Sequence, residues 1–301
     1  MHSNFINLDI LFSYLSKKKL PVVITTHDFW FLTAFCPYPL IGCNILDCGN
    51  CKQYHKKPTV FYNPNKFFLK KKQLSLSLDN VGIQANSNFS LSIVKQSFLS
   101  NALSETIYNW IDFKTFFPEP DKSVFGALTK PVVLVVWSLL DEKSERFLFF
   151  IKIAQILQQK YDFVMVGNYD FDINKYPFIK FFKGTNDLNV LRKYYSSADV
   201  FFNPSTTDTF GKVVAESISC GTPCVVFKNQ ALPEIVGDNE CGVVVNPFDE
   251  EETISAIDLV IQKGKSHYSD LCLLRSRSLF DKEINCGKLV KFYERLLNNE
   301  H

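Results

Sequence analysis

The stretch Pro204-Ser-Thr-Thr-Asp208-Thr-Phe210-Gly211-Lys212-Val-Val-Ala-Glu216-Ser-Ile-Ser-Cys220-Gly221-Thr-Pro223, followed by the apolar run Cys224-Val-Val-Phe227, decides the fold. An acid in a loop precedes a Gly at a helix start, and a second acid, Glu216, follows about one and a half turns in. Such a start offers free backbone N–H groups and the positive end of the helix dipole, which is what a diphosphate needs. Gly221 and Pro223 supply the Gly-then-Pro stop, and a buried strand follows. The other reading is an ordinary strand-to-helix turn with a solvated helix.

Outward from this stretch the second half alternates strand and helix. Val132–Val136, Phe163–Gly167, Ile179–Phe182, Val200–Phe202 and Gly242–Val245 read as strands. Phe147–Gln158, Leu188–Ser196 and Glu251–Gln262 carry helical spacing. Repeated β-α units imply a parallel sheet covered by helices, with ligands at the C-terminal strand ends. The first half is sparser. Phe5–Leu15 reads as a helix, Pro21–Thr25 as a buried strand, Thr26–Tyr54 as loop, and Val81–Ser87 as a strand entering a helix capped by Asn or Ser. Phe116-Phe-Pro118-Glu-Pro120 reads as a linker.

At 301 residues and 46% hydrophobic content the chain can bury two cores. No apolar run approaches the ~20 residues of a membrane span and no signal pattern opens the sequence, so a cytoplasmic location is expected. Nine cysteines then read as reduced thiols or metal ligands. Residues 1–115 hold 12 Lys and 6 acids, a net of +6; the totals of 33 and 31 leave 21 and 25 for the rest, a net of −4. Lys17-Lys-Lys19, Lys56-Lys57 and Lys70-Lys-Lys72 lie in the basic part. Peripheral contact with an anionic membrane is one reading of these clusters, and solvated lysines without a partner the other. No nucleic-acid partner is expected.

The order acid, seven residues, acid, then Cys-Gly-Thr-Pro and a strand resembles the donor-site motif of the family 4 glycosyltransferases, with Asp208 where that family usually has Glu. Thr26-His27-Asp28-Phe-Trp30, Thr33, Cys36 and Gly49-Asn-Cys51 resemble the His-Asp-x-Trp signature and cysteine-rich loop of capsule, colanic-acid and O-antigen pathway transferases. Ala85-Asn-Ser87 and Ile107-Tyr-Asn-Trp110-Ile-Asp112 are similar to two further segments of those enzymes. The resemblance implies a GT-B-like pair of Rossmann-like domains, α/β throughout, and retention of anomeric configuration. It divides the chain into a partial N-terminal acceptor-side domain, 1–115, with a Cys-rich loop at 36–51; a complete donor-binding domain, 116–284; and a C-terminal helix, 285–301, crossing back to the first. The family's N-terminal domain opens with a Gly-rich loop before the position matched by Met1, so its first part is expected to be missing. Where the family places two cations, Trp137–Glu145 offers Lys143 with Ser144 beside it; Arg146 as a substitute is left open by helical direction.

Glycosyl transfer builds positive charge on the sugar and negative charge on the leaving diphosphate. Donor-binding candidates are Lys143, Gly184, Phe210, Gly211, Lys212 and Glu216, the last as acceptor for ribose hydroxyls. His27 and Asp208 are the catalytic candidates, His27 because its pKa lies near neutrality and the family has a catalytic His there. His27 also reads as a structural residue at a strand end. No Asp-x-Asp pair sits after a strand in a position to hold a divalent metal, so no cofactor is expected for catalysis. Cys36, Cys43, Cys48 and Cys51 fit either a tetrahedral structural Zn site or packed, reduced thiols. Cys220, Cys224, Cys241, Cys272 and Cys286 read as small core residues.

The function expected is transfer of a hexose from a nucleotide diphosphosugar to a surface-polysaccharide or lipid-linked glycan acceptor. The alternative is a catalytically weak or inactive nucleotide-sugar-binding remnant, or a subunit completed by another chain. An epimerase on the same architecture fits the cysteine loop and the His-Asp-x-Trp phrase less well.

Overall fold

The computed structural model describes residues 7–34, 36–38, 43, 48, 64–237 and 240–298. The chain forms two compact units, Met1–Tyr108 with Glu283–His301, and Asn109–Lys282.

In the first unit, α1 (Leu8–Lys18) starts on Asn7, whose side chain accepts the N–H groups of Asp9 and Ile10, and ends on Lys17 and Lys18, matching the dipole. β1 (Val22–Thr26), β2 (Val81–Ala85) and β3 (Leu103–Thr106) pair in parallel in that order. α2 (Pro64–Leu76) precedes β2. α3 (Asn88–Gln96) follows β2 and is capped by Ser87. The core gathers Phe12, Ile24, Phe29, Trp30, Ile83, Val94 and Leu99. The final helix, α10 (Lys282–Leu297), packs Phe292 and Leu296 against Gly82 of β2, where a Cβ would stand 3.0 Å from the Phe292 ring. Asn80 also donates to the Leu296 carbonyl at 2.6 Å, and Arg295 pairs with Glu105 at 3.0 Å.

One lysine of the basic clusters is not a surface charge. Lys71, on α2, is 1% exposed. Its Nζ donates to the carbonyls of Trp30, Thr33 and Ala34 at 2.5, 3.0 and 2.9 Å and lies 3.4 Å from the Trp30 ring centroid. The turn after β1 has no secondary structure to satisfy those carbonyls, so a buried ammonium does it. Burial pulls the Lys71 pKa down to about 7, opposed by Cys48 and Asp28.

The second unit is a six-stranded, all-parallel sheet. Its strands are β4 (Val132–Leu139), β5 (Asp162–Asn168), β6 (Ile179–Phe182), β7 (Val200–Asn203), β8 (Cys224–Phe227) and β9 (Gly242–Val245), in the spatial order β6-β5-β4-β7-β8-β9. The helices are α4 (Glu145–Leu157), α5 (Leu188–Ser197), α6 (Lys212–Ser219), α7 (Leu232–Val236), α8 (Glu250–Lys263) and α9 (Lys265–Phe280). This is the doubly wound order, whose direction reverses between β4 and β7. Phe149 and Phe150 of α4 pack on Phe202 and Phe227, and each fully buried Phe contributes roughly 1.5–3 kcal/mol.

The Phe116–Pro120 segment is not a free linker. Phe116 is buried, and Arg192 of α5 donates to Glu119 and to the Thr115 carbonyl. The Ser196 and Ser197 hydroxyls accept the N–H groups of Glu119 and Asp121. Those bonds draw the segment onto α5, and the units part earlier, at Tyr108 and Asn109.

Candidate donor site

In an open parallel sheet the crevice for ligands lies at the C-terminal ends of the two strands where the order reverses. Here those ends are Trp137–Leu139 of β4, running through Lys143 into α4, and Asn203 of β7, running through Asp208 into α6. Both helices start without a side-chain cap, so their first N–H groups are open to a ligand, whereas α3, α5 and α8 are capped by Ser87, Asp187 and Asp249.

Gly211 is the N-cap of α6 at φ 82°, ψ 54°, in the left-handed region. A Cβ there would lie 2.7 Å from Leu232 Cδ2. The Asp208 loop is held on both sides. Asn203 Nδ2 donates to Asp208 Oδ2 at 3.4 Å, and the Asp208 carbonyl accepts from Ala231 N–H at 3.2 Å.

Glu216 is 4% exposed. Its Oε2 accepts from the buried Tyr195 hydroxyl at 3.0 Å, and Oε1 lies 3.6 Å from Lys212 Nζ, one helical turn earlier. Burial raises the Glu216 pKa, opposed by Lys212 and then by the Tyr195 bond. The carboxylate is thus fixed by a rigid phenol on one oxygen and a mobile, solvent-facing lysine on the other. Displacing Lys212 leaves a directed acceptor. Tyr195 escaped the sequence reading, because nothing in Arg192-Lys-Tyr-Tyr195 separates an acid's partner from a core aromatic.

Lys143 is exposed in the turn before α4. Gly184 is exposed after β6, two strands from the reversal, beside the Asn168 side chain at the end of β5. Phe210 corrects the expectation of a donor contact: it is 3% exposed and meets Phe280 edge to face at 5.5 Å, so it packs α6 onto α9.

His27 belongs to the first unit, exposed directly after the C-terminal end of β1, and the neighbouring Asp28 carboxylate accepts from Trp30 N–H at 2.8 Å. In the Cys-rich segment, Cys48 is buried and its Sγ accepts from Ala34 N–H at 3.3 Å. Cys36 and Cys43 are half-buried, and Cys51 lies outside the described residues. Among the described residues no three His, Cys, Asp or Glu side chains stand together as metal ligands. Cys220, Cys224, Cys241 and Cys272 are buried, whereas Cys286 is half-buried.

A doubly wound sheet with open helix starts and a fixed carboxylate at its order reversal is an arrangement able to take an anionic ligand. Residues 130–263 match the family model described as Glycosyl transferases group 1. Over 139 residues the chain is 30% identical to sulfoquinovosyl transferase SQD2 of Arabidopsis thaliana, a match covering 44% of this chain and 27% of that protein; the chain thus spans about a quarter of that relative. It is 21% identical over 305 residues to an uncharacterized 41.2 kDa protein in the cps region of Klebsiella pneumoniae, covering 98% of this chain and 77% of that one. Among solved structures, Anabaena Alr3699/HepE in complex with UDP superposes with a TM-score of 0.68 at 18% identity, covering 95% of this chain and 76% of that one. The family-model match lies within the second unit, and the chain shares the α/β fold with parallel sheets of the GT-B structures it superposes on.

Proposed function

We propose that the chain is a retaining glycosyltransferase that moves a hexose from a nucleotide diphosphosugar to a surface-polysaccharide or lipid-linked glycan acceptor. The observation that carries this is Gly211 at the open start of α6, with Asp208 before it and the fixed carboxylate of Glu216 behind, at the one place where the sheet order reverses. The first α6 N–H groups and Lys143 take the diphosphate, Glu216 the ribose hydroxyls, and Asp208 the donor sugar; His27, in the first unit, is the other catalytic candidate. Support for a nucleotide-sugar donor comes also from the Anabaena structures, described as complexes with UDP, with UDP and glucose, and with UDP-glucose.

Calorimetric titration with UDP-, GDP- and ADP-sugars tests the reading. At least one should bind, and Glu216→Gln should weaken it by about 1–3 kcal/mol through loss of a charged acceptor. No binding by any of them removes the donor site, and an unchanged affinity in the variant removes Glu216 from it.

We also propose that the first unit docks on an anionic membrane face. Lys17, Lys18 and Lys66 are exposed on α1 and α2, beside Ile10, Tyr14 and Leu69, which are 70%, 55% and 54% exposed. The Lys70–Asp9 pair at 2.5 Å ties the two helices together. Among the described residues no helix is long and apolar enough to cross a membrane, so the contact would be peripheral. Each lysine near an anionic surface is worth about 1 kcal/mol. The protein should sediment with phosphatidylglycerol vesicles and not with phosphatidylcholine ones, and K17E/K18E/K66E should release it. Equal sedimentation of variant and parent would refute this docking face.

A further inference from the structure

His27 stands exposed directly after β1, and the chain then turns inward, with Phe29, Trp30, Phe31 and Leu32 all buried. The turn has few backbone bonds of its own. Leu32 and Thr33 N–H reach the Phe29 carbonyl, and Phe29 N–H donates to the Pro37 carbonyl at 2.8 Å. The carbonyls of Trp30, Thr33 and Ala34 instead converge on Lys71 Nζ, whose three donors are thereby spent.

Two steps connect that ammonium to His27. Lys71 holds Trp30 by its carbonyl and by its ring, and Trp30 N–H donates to the carboxylate of Asp28, the residue bonded to His27. Lys71 is itself anchored: the Ser75 hydroxyl donates to its carbonyl at 2.7 Å, and the Phe67 ring centroid lies 4.8 Å from Nζ. The turn is therefore fastened to α2, about forty residues further along the chain, and not to its own strand.

A buried ammonium is a costly fastener, tolerated only where its partners compensate for lost water. What it adds is three charge-assisted bonds from one point, which hold three carbonyls in a single arrangement. A group that must meet a reacting atom needs such a mount, since a misplacement of about 1 Å can cost ~10²-fold in rate.

We propose that Lys71 is a positioning residue for His27, the clasp that holds the 27–34 turn where the imidazole meets substrate. This rests on the reading of His27 as a catalytic residue. Lys71 touches no substrate itself, being 1% exposed and bonded to protein carbonyls throughout.

The test uses the full chain as parent, Lys71→Met, His27→Ala, the double variant and Asp28→Ala. Three readouts are taken: the His27 imidazole signals in NMR, identified by their loss in His27→Ala; release of nucleoside diphosphate from UDP-, GDP- and ADP-glucose with water as acceptor; and calorimetric titration with UDP, GDP and ADP. In Lys71→Met the His27 signals should move while those of His267, in the second unit, stay. Release should fall roughly ten-fold or more with diphosphate affinity unchanged. The double variant should be no slower than His27→Ala, because both losses run through one imidazole. Asp28→Ala, which breaks the second link and leaves Lys71 intact, should move the same signals, and it carries the test if Lys71→Met fails to fold. Unmoved His27 signals in whichever of these two variants folds would overturn the proposal, as would losses that multiply in the double variant. Parental release in Lys71→Met with release lost in His27→Ala would overturn the role of Lys71 and leave that of His27 standing. Parental release in His27→Ala would overturn the reading of His27 and the proposal with it. If the parent releases none of the three diphosphates, the NMR signals alone decide.

Discussion

Replacing Lys71 by Ala is expected to destabilise the first unit by about 3–5 kcal/mol. The substitution strands three buried carbonyls, on Trp30, Thr33 and Ala34, and each unsatisfied buried group costs about 1–3 kcal/mol. It also empties the space of the lysine stem beneath the Trp30 and Phe67 rings. Lys71→Met separates the two effects, keeping the stem and losing only the donors. Amide hydrogen exchange over β1, β2 and the 27–34 turn is the measurement, because a single melting curve of two units would not assign the loss. Exchange unchanged there in the Ala variant would show that the clasp is dispensable. A pH dependence accompanies it. The unfolded chain keeps this proton to about pH 10.4, whereas the folded one releases it near 7, so the unfolded state binds more protons in between. The Lys71 contribution therefore makes stability rise with pH from about 7 upward, and that slope should be absent in Lys71→Met.

The other large effect is expected at Gly211. Gly211→Val places a β-branched residue at φ 82°, at roughly 1–3 kcal/mol for the strained backbone. Its Cβ would stand 2.7 Å from Leu232 Cδ2, and Leu232 is fully buried, so overpacking adds about 1–3 kcal/mol more. Relief of either strain moves the start of α6 and turns its N–H groups away from the β4 wall, so nucleotide-sugar binding should be lost together with about 3 kcal/mol of stability in the second unit. Gly211→Ala should show the same pattern at lower cost. Denaturant unfolding followed in this unit, paired with donor titration, checks both. Parental stability and affinity in the Val variant would mean that α6 starts without needing the left-handed turn.

The strands of the second unit were legible because β4 to β9 are short runs of Val, Ile and Phe bounded by polar turns, and their buried faces demand that pattern. The stretch around α6 was legible for the same local reason: Gly211, Glu216, Gly221 and Pro223 each answer to backbone geometry within one helix. Three helices, α2, α7 and α9, went unread. Pro64-Asn-Lys-Phe-Phe-Leu-Lys-Lys-Lys and Lys265-Ser-His-Tyr-Ser-Asp intersperse few apolar side chains among polar ones, and their helicity comes from the surfaces they cover.

What the sequence by itself determined is the alternation of β and α, the open start of α6 and the acids on either side of it, because these follow from interactions between residues a few positions apart. Tertiary structure alone decided where three side chains point. Lys71 lies in a run of three lysines that no local rule distinguishes, yet it is buried because a turn some forty residues away presents three carbonyls to it. Phe210 faces α9 and not a ligand, since α6 must bury one side against Phe280. Arg146 reaches the β4 wall because Trp137 offers a platform at the strand end. Acceptors, packing surfaces and platforms of this kind are created when distant segments meet, and the residues that use them carry no mark of it in the chain.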